Sequence, residues 1–114
     1  MHFGILILKV VLVSLFIFIP PVKAEVIEVE IFKSTFISTV VKVKRGDTVK
    51  WVNKEELLHT VTSGKSPIHD EKFNVSFLVK EYEVKVDWPA GVIDYYCAIH
   101  NATMRGVIVV EDKP

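Results

Sequence analysis

From Glu25 onward the chain alternates. EVIEVEIF sets Val29 and Ile31, with Val26 or Ile27 before them, at period two among glutamates, and in VVKVK the valines Val41 and Val43 alternate with Lys42 and Lys44. Such runs place apolar side chains on one face of an extended segment and charges on the other, which predicts half-buried strands. TVKWVN is a further short strand carrying Trp51. LLHTVTS alternates again, with Leu58, Thr60 and Thr62 on one face and His59, Val61 and Ser63 on the other. NVSFLV, KEYEVKVDW, VIDYYC and GVIVVE follow. Turn signals separate them: Arg45-Gly46-Asp47, the polar stretch Asn53 to Glu56, the loop GKSPIHDEK, and Trp88-Pro89-Ala90-Gly91. No segment carries a sustained helical period. Seven or eight short strands at spacings of about ten residues predict an all-β, antiparallel sandwich or barrel. Trp51, Trp88, Phe36, Phe73, Phe77 and Tyr95 fall on strand patterns and are expected in its core.

The first 24 residues are of another kind. A short start with one lysine, MHFGILILK, precedes the apolar run VVLVSLFIFI, and PPVKA ends with small residues where a leader peptidase inspects the chain. Residues 1–24 are therefore expected to be a cleaved signal peptide, and 25–114 the domain. Lys9 interrupts the apolar run, which leaves less than the roughly 20 residues of a spanning helix, so stable membrane insertion is not expected. Cleavage would remove Lys9 and Lys23 from the 14 basic residues, leaving 12 against 14 acidic ones and a net charge near −2. With acids and bases interleaved, nothing points to nucleic acid. An exported domain of this size commonly needs a staple. Disulfides are the usual one, but Cys97 is the single cysteine. A metal is the remaining candidate.

The soft and borderline metal donors are few. Beyond the leader the chain holds one cysteine (Cys97), one methionine (Met104) and three histidines (His59, His69, His100). Two imidazoles, one thiolate and one weak axial thioether suit copper in electron transfer. Thiolate and thioether favour Cu(I), imidazole tolerates both oxidation states, and the compromise keeps rearrangement small when an electron arrives or leaves. In YYCAIHNATMRG, His100 stands three residues after Cys97, and Met104 four further on, so one loop supplies three donors. His59 must be delivered from far upstream by the fold. His69, beside Pro67 and Asp70, reads as solvated. A buried structural thiol and a Cys-His nucleophile are the alternatives for Cys97, and the second lacks a visible third group. Two glycosylation sequons, Asn74-Val75-Ser76 and Asn101-Ala102-Thr103, read as chance matches.

At these residues the sequence resembles a known family, the small blue copper proteins or cupredoxins, within them the amicyanin, plastocyanin and pseudoazurin group. GDTVKWVN at 46–53, His59 in LLHTVTSG, and AGVIDYYCAIHNATMRGVIVVE at 90–111 carry the resemblance, which spans about Glu25 to Glu111. It implies a Greek-key β-sandwich with one copper ion held by His59, Cys97, His100 and Met104. It also implies single-electron shuttling between larger redox proteins, with the edge of His100 at the surface. Three positions depart from the family pattern. Three residues separate His100 from Met104, one more than in amicyanin-like loops and one fewer than in plastocyanin or pseudoazurin loops. Thr60 stands where the family usually has asparagine bracing the cysteine loop, and Asn101 where it often has proline.

The expectation is thus a periplasmic or otherwise exported monomer that is no enzyme and carries one electron. Its partners would be a transient electron donor and acceptor such as a cytochrome, dehydrogenase or oxidase. The alternative is a periplasmic copper carrier that hands over the metal without redox cycling. A zinc-stapled or metal-free adhesion sandwich comes third, since a thioether is a poor zinc ligand.

Overall fold

The structure is a computed structural model that describes residues 17–18 and 23–112; the expected leader falls largely outside these. Nine strands build it: β1 (Val26–Phe32), β2 (Thr35–Phe36), β3 (Val40–Lys44), β4 (Thr48–Asn53), β5 (His59–Ser63), β6 (Asn74–Leu78), β7 (Glu81–Lys85), β8 (Gly91–Tyr96) and β9 (Arg105–Glu111). They form two packed sheets, ordered β2-β1-β4-β7 and β3-β9-β8-β5-β6. Among the described residues no helix is long and apolar enough to cross a membrane.

The all-β sandwich expected from the alternation is what forms. The count rises to nine because the two-residue β2 folds back on β1, pairing Ile31 with Phe36. The pairing is not purely antiparallel: β1 runs parallel to β4, and β3 parallel to β9. Each of these pairs is separated in sequence by an excursion through the opposite sheet, so the chain returns in the same direction.

Alternation does set the core. Val29, Ile31, Val41, Val43, Val49, Trp51, Ile93, Tyr95, Ile108 and Val110 all turn inward between the sheets. Tyr95 lies edge-on to both Trp51 and Phe36, with ring centroids 5.2 and 4.8 Å away. Its cross-strand partner is Gly106. A Cβ there would meet Tyr95 Cζ at 2.3 Å, so the glycine makes room for the ring.

Two aromatic expectations need correcting. Trp88 is only partly buried. Phe77 is 70% exposed. The cause is a slip in the β5–β6 ladder, where His59 pairs with Leu78 but Val61 with Val75. One extra residue thus enters β6 between Val75 and Leu78, and Phe77 is turned outward there. Strand β5 also departs from simple alternation. All five of its residues are buried, and the hydroxyls of Thr60 and Thr62 are bonded to each other, to Ala98 and to Asn74.

Candidate metal centre

Two strands and one loop assemble the site. The β8–β9 ladder ends on the pair Tyr96–Arg105, and the next backbone bond, Cys97 N–H to Met104 C=O at 3.0 Å, continues it. Cys97 and Met104 therefore stand opposite each other at the mouth of a hairpin. Cross-strand partners share one face of a sheet, and both side chains are buried. Within the loop, the His100 carbonyl accepts from Thr103 N–H at 3.1 Å and Met104 N–H at 2.9 Å. Its far side is tied by Ser66 Oγ and Arg105 Nε, each donating to the Asn101 carbonyl at 3.1 Å. Asn101, in the position where proline is common, thus anchors the loop from both sides.

His59 begins β5 and arrives from 38 residues upstream of the cysteine. Its Nδ1 lies 3.8 Å from Cys97 Sγ, and His100 Nδ1 lies 3.6 Å from the same sulfur. One donor atom from each of His59, Cys97 and His100 falls within 4.8 Å of the other two, and these three form the one such group among the described residues. His59 and Cys97 are buried, and His100 is half-buried. Of the four donors expected to converge, these three have their donor atoms together. His69 stays apart, with its Nε2 3.2 Å from the Phe73 carbonyl.

The donor separations suit one ion. Nitrogen at roughly 2.0 Å and sulfur at roughly 2.3 Å from a common centre, about 120° apart, lie roughly 3.6–3.8 Å from each other. Both imidazoles also point the same nitrogen inward. For His59 the network sets the tautomer. Its Nε2 is 2.6 Å from Glu55 Oε1. That carboxylate also accepts Ser34 N–H at Oε1 (2.9 Å) and Lys33 N–H at Oε2 (2.8 Å). These bonds, the one from Ser34 foremost, hold Glu55 below the usual carboxylate range against the opposing effect of desolvation. An ionised Glu55 can only accept, so Nε2 carries a proton, and Nδ1 is the ring nitrogen turned to the sulfur.

The thiol side is equally supported. Thr60 N–H donates to Cys97 Sγ at 3.4 Å. The Thr60 hydroxyl accepts Ala98 N–H at 2.7 Å. Thr62 gives its single hydroxyl proton to Asn74 Oδ1 at 2.7 Å. The 2.9 Å contact between the two threonines therefore has Thr60 as donor. A relay of Ala98, Thr60, Thr62 and Asn74 thus ties the cysteine loop to β5 and β6. Threonine does bracing work here, with the shorter reach compensated by β5 lying directly alongside Ala98.

Sequence reasoning missed Glu55, Thr62 and Asn74. The spacing of Glu55 four residues before His59 was visible, but its partners, the turn residues Lys33 and Ser34, are not readable without the fold.

Comparison with known proteins agrees with this geometry. The family model of copper binding proteins, plastocyanin/azurin family, matches residues 24–111. Amicyanin of Paracoccus versutus is 33% identical over 91 residues, covering 79% of this chain and 68% of that protein. Amicyanin-alpha of Methylorubrum extorquens is 37% identical over 86 residues, covering 74% of this chain and 71% of the relative. Among solved structures, a reduced Cu(I) form of an amicyanin variant superposes with a TM-score of 0.64. The two are 33% identical, and the match covers 75% of this chain and 81% of that one.

Proposed function

The chain belongs to the plastocyanin/azurin family of copper-binding proteins, and on that footing we propose that it is an exported one-electron carrier whose His59, Cys97, His100 and Met104 hold a single copper ion. The observation that carries the assignment is the convergence of His59 Nδ1 and His100 Nδ1 on Cys97 Sγ, at 3.8 and 3.6 Å.

Copper, when bound, supplies the Cu(I)/Cu(II) couple. The protein's own groups fix the donors and keep water away. Glu55 holds the His59 ring in one tautomer and orientation. Thr60 N–H donates to Cys97 Sγ and helps hold the sulfur between the two imidazoles. Met104, paired across the hairpin mouth with Cys97, would supply a thioether as the fourth donor. Because the donors are preset by strands and by a bonded loop, little has to move between oxidation states. Four protein donors leave no open position for a substrate, so no enzymatic activity is proposed.

His100 is the half-buried member of the trio, and its ring is where a partner's redox centre comes nearest. A monomer meeting its donor and acceptor through a small, transient contact fits this exposure. The leader-like residues 1–24 support the export reading.

Cu(II) added to the purified 25–114 domain is expected to give an intense thiolate-to-copper band. The band should disappear in Cys97→Ser and bleach reversibly on reduction. The melting temperature should rise with copper, since only the folded chain gathers the donors. A colourless complex that passes copper to an apo-acceptor without redox cycling would instead establish the carrier alternative.

A further inference from the structure

Among the described residues, main-chain hydrogen bonding begins at Glu25. Its N–H donates to Asp47 Oδ1 at 3.0 Å, and its carbonyl accepts Thr48 N–H at 2.9 Å. The acceptor is held in place. Asp47 is 6% exposed, its Oδ2 takes Lys44 N–H at 2.8 Å, and its own N–H and carbonyl bond Lys44 O and Val86 N at 3.0 and 2.8 Å. The carboxylate that meets Glu25 is therefore fixed by the β3–β4 turn, whatever the incoming nitrogen is. The leader-like segment ends one residue earlier, at Ala24.

We infer that Asp47 is a built receptor for the new N-terminus: cleavage after Ala24 turns the Glu25 amide into an α-ammonium already seated on the buried carboxylate. This inference rests on the export reading. In the cleavage, catalysed by a leader peptidase, one water is consumed, Ala24 leaves as a carboxylate with the leader, and the Glu25 nitrogen takes up protons. A neutral donor becomes a cationic one with two further N–H groups, at the same place. Processing thereby installs an ion pair that pins the start of β1 to the β3–β4 turn. Cleavage at a neighbouring bond would put the charge about 3.8 Å away or more, out of register with Asp47.

The surroundings keep their charge balance through cleavage. Lys23, Lys42 and Lys44 line the same cleft with Glu25, Asp47 and Glu111. Cleavage removes Lys23 and leaves Lys42 and Lys44 of β3 facing the carboxylates of Asp47, Glu111 and Glu25 itself. The ammonium replaces the charge lost with Lys23, so three cations still stand against three anions, with the new one on Asp47.

The sign follows from linkage. A partnered ammonium has its pKa raised above the ordinary range of roughly 7.7–8.0. Its stabilisation is fully present below that range and is lost as pH rises through the raised value. The 25–114 domain, which contains all nine strands, is to be prepared with a free Glu25 amine, with an acetylated one, and with Ala24 retained. NMR titration of the free amine is expected to show its pKa raised by about half a unit or more, a threefold tighter hold on the proton. The shift should be lost in Asp47→Asn. The free-amine form should melt a few degrees above the acetylated and Ala24 forms at pH 6.5, with the gap to the acetylated form closing by about pH 10. An amine titrating at its ordinary value, or equal melting of the three forms at pH 6.5, overturns the inference. Expression of the full chain with mass measurement of the exported product tests the export reading separately. A start other than Glu25 removes that reading's cleavage site, and with it the role of Asp47 in the natural protein.

Discussion

Replacing Thr60 with valine isolates the contribution of one hydroxyl to the cysteine loop. Valine keeps the shape and leaves the Thr60 N–H bond to Cys97 Sγ intact. It removes the acceptor 2.7 Å from Ala98 N and the donor 2.9 Å from Thr62 Oγ1. Thr62 still donates to Asn74, so the main loss is the partly buried Ala98 N–H left without a partner. An orphaned donor of this kind costs about 1–3 kcal/mol, and the extra buried methyl returns about 0.8 kcal/mol. A net loss of roughly 0.2–2 kcal/mol lowers the melting temperature of a domain this size by about 1 to 16 °C. Calorimetry on the metal-free domain reads that shift, and amide exchange reads its location, since Ala98 should exchange faster while strand amides of β1 and β4 do not. Thr60→Ser, which keeps the oxygen, should recover most of the loss. An unchanged melting curve with Ala98 still protected would show that the loop is braced by something other than this hydroxyl.

Further perturbations address other parts of the molecule. Gly106→Ala drives a Cβ to 2.3 Å from Tyr95 Cζ, in a ring enclosed by Phe36 and Trp51; overpacking of this kind is expected to destabilise by about 1–3 kcal/mol in denaturant titrations. Ser63→Ala removes the buried oxygen that accepts Lys72 N–H and Phe73 N–H at 3.0 and 2.9 Å, and a loss of about 2 kcal/mol or more should appear in the same assay. Glu55→Gln, which keeps an acceptor for His59 but cannot serve both turn amides, should weaken copper affinity by about 10- to 100-fold in competition titrations. Burial pushes the Tyr95 hydroxyl, which finds no hydrogen-bond partner among the described residues, up to about 12. Its stabilising effect is complete below the ordinary tyrosine value near 10 and is lost as pH rises from there through 12. Phenolate absorbance should therefore show one tyrosine that ionises only near 12 or on unfolding, and Tyr95→Phe should remove it.

Part of this protein could be read from its residues alone. Period two in EVIEVEIF, VVKVK and GVIVVE dictated strands and the face each one buries, because alternation is a local property of an extended backbone. Donor chemistry and the close spacing of Cys97, His100 and Met104 likewise marked copper and one loop. What pairs with what belongs to the tertiary structure. The slip that turns Phe77 outward, the parallel pairs β1–β4 and β3–β9, and the fit of Gly106 against Tyr95 all depend on register between distant segments, which a one-residue shift inverts and no local pattern records. The same holds at the site. His59 could be nominated by elimination, yet its 3.8 Å approach to a sulfur 38 residues away, the grip of Glu55 on the Lys33–Ser34 turn, and the Thr60–Thr62–Asn74 relay exist only once two sheets have closed on each other. Long-range backbone geometry positions hydrogen bonds and ligands to within tenths of an ångström, and that information is held by the whole packed chain.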